Sequence, residues 1–162
     1  MLIPSSFNNL LVANGLDLQS VGFARHPYNN KIMKKILEKD CMDESTALQL
    51  KGRFDKYDYI ISFLGFSDGT CLFLTGYRKT GWKQDAGKYM IKYPFREHIT
   101  DETVFYILEP LQFLTPYKNK LVIDWGPGAR AWLQNGVNIK PIVQFSSLPI
   151  DPKDYVKGIL VK

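Results

Sequence analysis

Residues 57–77 read YDYIISFLGFSDGTCLFLTGY, and this stretch decides the fold. It holds two apolar runs, 57–66 and 70–77, which are separated by the tripeptide SDG at 67–69. An Asp-Gly pair between two apolar runs is a strong hairpin signal, because glycine accepts the positive φ angle that such turns need. The stretch therefore predicts a β-hairpin with two long strands.

Several elements are predicted before the hairpin. Residues 5–15 begin with serines, which are good N-cap residues, and continue with helical apolar spacing to a glycine, so they predict a short helix. Residues 21–26 form a compact apolar run that stops at a proline, which predicts a strand. Residues 30–39 separate an apolar stripe from a lysine-rich side, which predicts an amphipathic helix. A second helical stretch could follow over 45–50.

The chain after the hairpin is predicted to be mostly strand. Residues 79–102 are polar, basic and turn-rich, and they predict a long loop. Further strands are predicted at 103–108, 120–125, 139–145 and 155–161. Because about seven strands come in runs and do not alternate with the two or three helices, the predicted class is α+β, with a mixed, strongly curved sheet or a partly closed β-barrel.

Length and composition predict one domain. A chain of 162 residues with 45% apolar residues can close one core, and no shift in composition marks a boundary, so we expect a single domain over 1–162. No apolar run approaches the roughly 18 residues needed to cross a bilayer, and no membrane partner is expected. Cys41 and Cys71 are isolated, and the sequence shows no signal peptide, a combination typical of a cytoplasmic protein.

Positive charge is concentrated in the middle of the chain. The 21 Lys and Arg residues against 16 Asp and Glu residues give a net charge of +5. Residues 51–100 hold nine basic and five acidic residues, or +4, whereas residues 1–50 are neutral and residues 101–162 carry +1. Such a local excess is expected of a surface that faces phosphate groups, although a solvated face with a chance imbalance is the alternative.

Two segments combine aromatic and basic residues in a pattern suited to nucleic acid. Residues 77–83 read YRKTGWK and residues 124–132 read DWGPGARAW. An unstacked base needs an aromatic face, and its flanking phosphates need Arg or Lys. Trp82 lies in a polar segment and is expected to be exposed, whereas core packing competes with stacking for Trp125. The candidate nucleic-acid-binding residues are Trp82, Trp125 and Trp132 for stacking, Arg25, Arg78, Lys79, Lys83 and Arg130 for phosphates or base edges, with His26 and Tyr77 beside them.

Catalytic motifs are missing from the sequence. It contains no GxxxxGK[ST], GxGxxG, GxSxG or HExxH motif, and its cysteines and histidines lack zinc-ligand spacing, so no metal or cofactor is expected. A small nuclease is the catalytic alternative, with His26 as base beside Arg25 or Lys83, or with Asp124 at a metal ion. For Asp124, capping of the following turn or pairing with Arg130 competes with that role. We expect a chain without catalytic residues of its own.

Several blocks follow one another in an order that is typical of a known family. The blocks are Gly15-Leu16-Asp17, Arg25-His26, 59–65, 72–77, Gly81-Trp82, 120–126 and 130–132. In this order they resemble the domain that precedes the nuclease in bacterial proteins of the GIY-YIG nuclease class, over nearly the whole chain. The Gly-Ile-Tyr and Tyr-Ile-Gly elements of the nuclease itself are absent. More loosely, residues 71–77 resemble the central strand of the PUA and EVE group of small barrels, some of which read modified bases.

The resemblance implies an accessory role, that of choosing the DNA to be cut, with a nuclease domain or subunit as a partner. Together with the aromatic and basic pattern, it leads us to expect a DNA-binding recognition module of a bacterial or phage restriction system, which could read a modified or flipped base. DNA is expected more than RNA. Two alternatives stay open: a small nuclease using His26 or Asp124, and a protein-interaction domain that docks a nuclease partner through its aromatic patch.

Overall fold

The computed structural model of the chain describes residues 3–46, 49, 51–66, 68–84, 96, 99–126 and 133–157. These residues include seven strands and four α-helices. The strands form one mixed and strongly curled sheet that makes a half-barrel. The predicted α+β class with a curved sheet is therefore confirmed.

The bounds of the elements are as follows. The strands are β1 Val21–Pro27, β2 Tyr59–Gly65, β3 Thr70–Lys83, β4 Phe105–Pro110, β5 Leu121–Asp124, β6 Leu133–Asn135 and β7 Ile142–Phe145. The α-helices are α1 Phe7–Ala13, α2 Lys31–Glu38, α3 Met42–Thr46 and α4 Pro152–Val156. Two 3₁₀ helices lie at Leu18–Ser20 and Gln112–Tyr117.

Strand β3 is the axis of the sheet. The strand order is β6-β1-β2-β3-β5-β7, with β1 and β2 parallel and the other pairs antiparallel. Residues 70–72 of β3 pair with β5, whereas residues 77–83 pair with β4, and β2 stops pairing at Arg78. We call residues 70–72 of β3, which lie beside β5 and the hairpin turn, the turn end of the strand. We call residues 77–83 the ribbon end, because there β3 and β4 continue as a two-stranded ribbon beyond β2.

The predicted hairpin is confirmed as β2 and β3. Gly69 in the turn has a φ of 88°, which is the conformation that the Asp-Gly signal requires. The Asp68 carboxylate accepts a hydrogen bond from the Thr70 amide at 2.9 Å and thereby closes the turn. Both faces of the sheet are covered along the hairpin, which explains why its two runs are continuously apolar and do not alternate.

The core has one layer on each face of the sheet. On one face α1 packs through Phe7, whose ring lies 5.3 Å from that of Phe63. On the other face the apolar stripe of α2 packs with α4 near the turn end, as its amphipathic pattern predicts. Phe54 and Tyr57 cover the same face near the ribbon end, together with Tyr106 of β4. Aromatic side chains on this face of the sheet therefore anchor the ribbon end.

Two predictions about secondary structure are wrong. The loop predicted over 79–102 begins too early, because β3 continues to Lys83 with β4 as its hydrogen-bonding partner; residues 85–95, 97 and 98 lie outside the described part. The strand predicted over 155–161 is not formed at Tyr155, which lies in α4. The Asp151 carboxylate caps this helix by accepting from the Lys153 amide at 2.9 Å, and residues 158–162 are not described.

Two smaller differences concern short elements. Helix α3 starts at Met42, earlier than the predicted stretch over 45–50, of which residues 47, 48 and 50 are not described. Strand β6 is not predicted from the sequence, since three residues carry too little alternation to recognise. It is formed because the edge of β1 supplies an antiparallel partner.

Candidate functional site

The structure places the candidate residues at opposite ends of β3. Tyr77, Arg78, Lys79, Trp82 and Lys83 lie on the ribbon end of that strand. Arg25, His26 and Trp125 lie at the turn end, where β1, the hairpin turn and the end of β5 meet. Arg130 and Trp132 lie outside the described residues. The described candidates therefore form two groups and not one surface.

Trp125 is a core residue, which corrects its assignment as a stacking residue. It is 0% exposed, and its ring packs against that of Phe63 at 5.9 Å. It follows β5 directly, and the alternation of the strand puts it on the same covered face as Ile123. No face of this indole is open to a base.

Tyr77 is likewise buried and does not present its ring. It pairs with Ile60 across the hairpin, and its hydroxyl lies 3.3 Å from that of Thr46, within hydrogen-bond distance. The Tyr77 side chain therefore connects β3 with α3. This placement corrects the prediction that Tyr77 contributes to a binding surface.

Arg25 lies against the hairpin turn. Its guanidinium donates to the Phe66 carbonyl at 3.2 Å and packs flat on Gly65, where a β-carbon would collide with it. Cys71 lies next to it, and burial raises the pKa of this thiol to about 12. Cys71 is thus a protonated core thiol near neutral pH, and Arg25 is engaged with the backbone of the turn.

His26 is held in its neutral form. Its Nε2 atom is buried and has no hydrogen-bond partner among the described residues. Burial lowers the pKa of His26 to about 4, and the positive charge of Arg96 adds to this shift. The imidazole is half-buried, but its Nε2 atom is shielded from solvent, so the geometry gives no support to a base that must reach a substrate.

Asp124 caps a turn, as one of the competing predictions stated. Its carboxylate accepts a hydrogen bond from the Gly126 amide at 2.9 Å, directly after β5. The residues that the structure describes contain no group of three or more His, Cys, Asp or Glu side chains that could hold a metal ion. The described geometry therefore offers no metal site around Asp124.

Trp82 presents its ring at the ribbon end, as predicted. The side chain is 64% exposed although it lies on a paired strand, opposite Tyr106 of β4. The ammonium group of Lys51 lies 5.0 Å from the centre of the indole ring. The paired strand fixes the backbone of Trp82, so its position offers an exposed aromatic ring with a cation beside it.

The turn at 51–55 puts Lys51 in this position. The Tyr106 hydroxyl accepts hydrogen bonds from the amides of Gly52 at 2.7 Å and Phe54 at 3.0 Å, and it donates to the Asp55 carboxylate at 2.5 Å. This last bond is the main reason why the pKa of Asp55 lies below its ordinary value. The ionised Asp55 in turn holds the Lys51 ammonium at 3.4 Å. Tyr106 therefore organises both charged groups next to Trp82.

Lys79 and Arg78 have structural partners. The Lys79 ammonium donates to the carbonyls of Phe54 at 2.7 Å and Asp55 at 3.0 Å, and burial lowers its pKa. It fastens the 51–55 turn to β3 and is half-buried. The Arg78 guanidinium donates to the Glu109 carboxylate at 2.7 Å across the ribbon, and both side chains are exposed.

The surroundings of Trp82 are basic. Segments 51–58, 78–83 and 105–110 together hold six Lys or Arg residues and three Asp or Glu residues, which gives +3 of the chain's +5. Lys51, Asp55 and Tyr106 were not among the sequence candidates, since nothing in their local pattern marks them. The only available signal was the excess of basic residues over 51–100, which does not say which lysine lies next to which ring.

Lys140 is a further residue that was not among the sequence candidates. Its side chain is 1% exposed, and its ammonium donates to the Trp125 carbonyl at 2.6 Å and to the Gln134 side-chain oxygen. It lies 4.3 Å from the centre of the Trp125 ring. Burial lowers the pKa of Lys140 to about 8. Lys140 thus links the end of β5 to β6 from inside the core.

A shallow cavity of about 160 Å³ lies between α2, α3 and α4. Two of its three carboxylates are in ion pairs, since Asp40 pairs with Lys153 at 2.8 Å and Asp43 pairs with Lys118 at 2.6 Å, and the third, Asp151, caps α4. The cavity is therefore a seam between elements that are held together by ion pairs. It adds no further functional residues to the ribbon end.

Comparisons with known proteins give no match. No family model matches the chain, and neither a curated protein nor a solved structure matches it. Among the described helices there is none that is long and apolar enough to cross a membrane.

Proposed function

We propose that this chain is a nucleic-acid-binding domain that holds an unstacked base against the exposed ring of Trp82. The observation that carries this proposal is the 64% exposure of a tryptophan that is fixed on a paired strand. Every base has a π-face that can stack on such a ring, and stacking contributes about 1–3 kcal/mol per base. This stacking energy is large enough for one tryptophan to supply much of the affinity when binding is weak and tolerates any base sequence.

The charges around Trp82 support a phosphate-bearing ligand. Lys51 is held beside the ring, whereas Lys83, one residue after Trp82 on β3, is exposed on the other face of the ribbon. A nucleotide whose base stacks on the indole has its phosphate within reach of Lys51, which releases counterions from the nucleic acid when it binds. The local excess of +3 favours this ligand over an acidic or neutral small molecule.

The choice of DNA, and of a recognition role beside a nuclease, rests on the family resemblance in the sequence. In this proposal the chain is the recognition module of a bacterial or phage restriction system. Trp82 receives a base that is single-stranded or flipped out of a duplex, and such a base can be a modified one. A ring that is open to solvent suits a flipped base better than a buried ring does.

Binding of labelled oligonucleotides to the purified chain tests the proposal. The ligands are single-stranded DNA, the same sequence as RNA, and matched duplexes with unmodified, methylated or hydroxymethylated cytosine, each in a salt series. We expect Trp82→Ala to weaken binding about tenfold to hundredfold and Trp82→Phe to weaken it less, since phenylalanine keeps a stacking face. The control Val12→Ala, on a similarly exposed apolar side chain of α1, should leave binding unchanged.

The salt series tests the role of the cations separately. Lys51→Gln should lower the slope of log affinity against log salt by about one, because it removes one phosphate contact, and Lys83→Gln, on the other face of the ribbon, should lower it less. Equal affinities of Trp82→Ala and the wild type would refute stacking on this ring. Binding to none of the ligands at low salt would refute the proposal as a whole, and an affinity that does not change with salt would refute the phosphate contacts.

A further inference from the structure

An exposed carboxylate lies beside the ring that we assign to base stacking. The Asp55 side chain is 50% exposed, and its Oδ2 atom lies 3.4 Å from the Lys51 ammonium. The same ammonium lies 5.0 Å from the centre of the Trp82 ring, so a single cation separates the carboxylate from the indole. A carboxylate repels phosphate groups, and phosphate binding therefore does not account for its place next to this ring.

The two carboxylate oxygens of Asp55 have different surroundings. Oδ1 accepts hydrogen bonds from the Tyr106 hydroxyl at 2.5 Å and from the Gly52 amide at 3.2 Å, and these bonds hold the 51–55 turn. Among the described residues, Oδ2 contacts the Lys51 ammonium alone. Each oxygen of a carboxylate accepts about two hydrogen bonds, so Oδ1 is filled and Oδ2 has room for a further donor.

Asp55 is ionised at neutral pH. The hydrogen bond from Tyr106 is the main cause that holds its pKa below the ordinary value, and the charge of Lys51 adds to this effect. An ionised carboxylate accepts hydrogen bonds and has no proton to donate. It therefore binds an amino group and repels a carbonyl oxygen at the same position, and a group of this kind can distinguish two bases that differ only there.

Two other acidic residues lie near the ribbon, but they are placed differently. Glu109 is in an ion pair on the other face of the ribbon, since it lies three residues from Tyr106 on β4. Asp58 directly precedes β2 and lies outside the 51–55 turn. Asp55 is therefore the carboxylate that the described contacts connect with the exposed ring.

We propose that Asp55 recognises the base that stacks on Trp82, and that its Oδ2 atom accepts a hydrogen bond from an exocyclic amino group of that base. This preference depends on the nucleic-acid binding proposed for Trp82 and adds the class of base. Cytosine, adenine and guanine carry such an amino group, whereas thymine and uracil present carbonyl oxygens. The bound strand turns the amino-bearing edge of its base towards Asp55, and amino-bearing bases are bound more tightly than thymine or uracil.

Pairs of labelled single-stranded oligonucleotides, each of about eight nucleotides, test this preference on the full chain. One pair is oligo(dC) and oligo(dU), and the other is oligo(dA) and oligo(dI), whose hypoxanthine has an oxo group in place of the amino group of adenine. Both members of a pair carry the same phosphates. We expect the wild type to bind the amino-bearing member about threefold to tenfold more tightly, which is the effect of one hydrogen bond to a charged but exposed acceptor.

Two variants locate the preference. Asp55→Asn should bring both affinity ratios close to one, because the amide has the shape of the carboxylate but offers a donor as well as an acceptor. The control Glu109→Gln removes the same charge from a side chain that is 57% exposed on the other face of the ribbon, and it should keep the wild-type ratios. Circular dichroism and thermal melts check that both variants are folded, and the wild-type ratios need no variant.

The outcomes separate this preference from the binding on which it depends. Equal affinities of the wild type within both pairs, with binding that Trp82→Ala still weakens, would overturn recognition by Asp55 and leave the proposed function standing. A preference that persists in the folded Asp55→Asn variant, or that is lost equally in Glu109→Gln, would also overturn it. If the wild type bound none of the oligonucleotides at low salt, both proposals would fall.

Discussion

The Tyr106 hydroxyl and the Asp55 carboxylate lie 2.5 Å apart, and their hydrogen bond ties the 51–55 turn to strand β4. Through this bond the buried core positions an exposed site. Asp55 holds Lys51, and Lys51 lies beside the ring of Trp82. The arrangement around the exposed indole is therefore set by a tyrosine that is itself 2% exposed.

Removal of the Tyr106 hydroxyl should destabilise the protein. Tyr106→Phe leaves the amides of Gly52 and Phe54 without this acceptor, which we expect to lower the free energy of unfolding by about 1–3 kcal/mol. Urea denaturation measures the change. The control is Tyr59→Phe, whose hydroxyl has no hydrogen-bond partner among the described residues, and which should cost less. Equal losses in the two variants would contradict the role of the Tyr106 hydroxyl.

Gly76 and Gly81 should respond in opposite ways to the same substitution. A β-carbon at Gly76 would lie 2.5 Å from a methyl group of Leu114 and 2.8 Å from one of Ile61, so Gly76→Ala should cost about 1–3 kcal/mol through overpacking. At Gly81 the nearest atom, on Ile107, is at an ordinary 3.7 Å. Gly81→Ala should therefore be neutral or slightly stabilising. Thermal melts of both variants compare them, and an equal loss would argue against the packing at Gly76.

His26 should make the protein sensitive to acid. Its pKa is about 4 in the folded chain and 6.5 ordinarily, so the unfolded chain binds the proton more readily between these values. Stability is fully present above pH 6.5 and should fall by up to about 3 kcal/mol as the pH drops towards 4. Urea denaturation from pH 7 to 4 should show a flatter profile for His26→Phe. If His98→Gln flattened the profile instead, the assignment to His26 would be wrong.

Lys140 should make the stability of the folded protein depend on pH in the alkaline range. Its pKa is about 8 in the folded chain and 10.5 ordinarily, so the cost of burying its charge is fully present below pH 8 and disappears as the pH rises towards 10.5. Relative to Lys140→Met, the wild type should gain up to about 3 kcal/mol over this window. The comparison with a variant is needed because Cys71, whose pKa is raised to about 12, favours unfolding above pH 9. A constant difference between the two proteins from pH 8 to 10 would contradict the buried charge.

Local signals in the sequence were sufficient for much of the fold. The Asp-Gly turn of the hairpin has the positive φ that its residues predict, and α1 starts at Ser6, whose side chain accepts from the Asn9 amide at 3.2 Å. Helix α2 buries the apolar stripe that its spacing indicates. These features depend on residues within a few positions of one another. They can be recognised without knowledge of what packs against them.

The candidate site depended on contacts that local patterns do not encode. Trp82 is the second-last residue of β3 and Trp125 directly follows β5, yet one is open to solvent and the other is in the core. The difference arises because α1 covers the face of the sheet that Trp125 points to, whereas the ribbon extends beyond β2. Lys51 reaches Trp82 because Tyr106, Asp55 and Lys79, which are distant from one another in the chain or from Trp82, hold the 51–55 turn in place.

The sequence by itself determined the class of fold, the central hairpin, the two main helices and the basic character of the middle of the chain. The tertiary structure alone decided which aromatic rings are exposed, which lysine lies beside Trp82, and that Lys140 points into the core. The physical reason is that helix caps, turns and periodicity depend on neighbouring residues, whereas burial and charge pairing depend on elements that are distant in the chain and meet only when the sheet has curled.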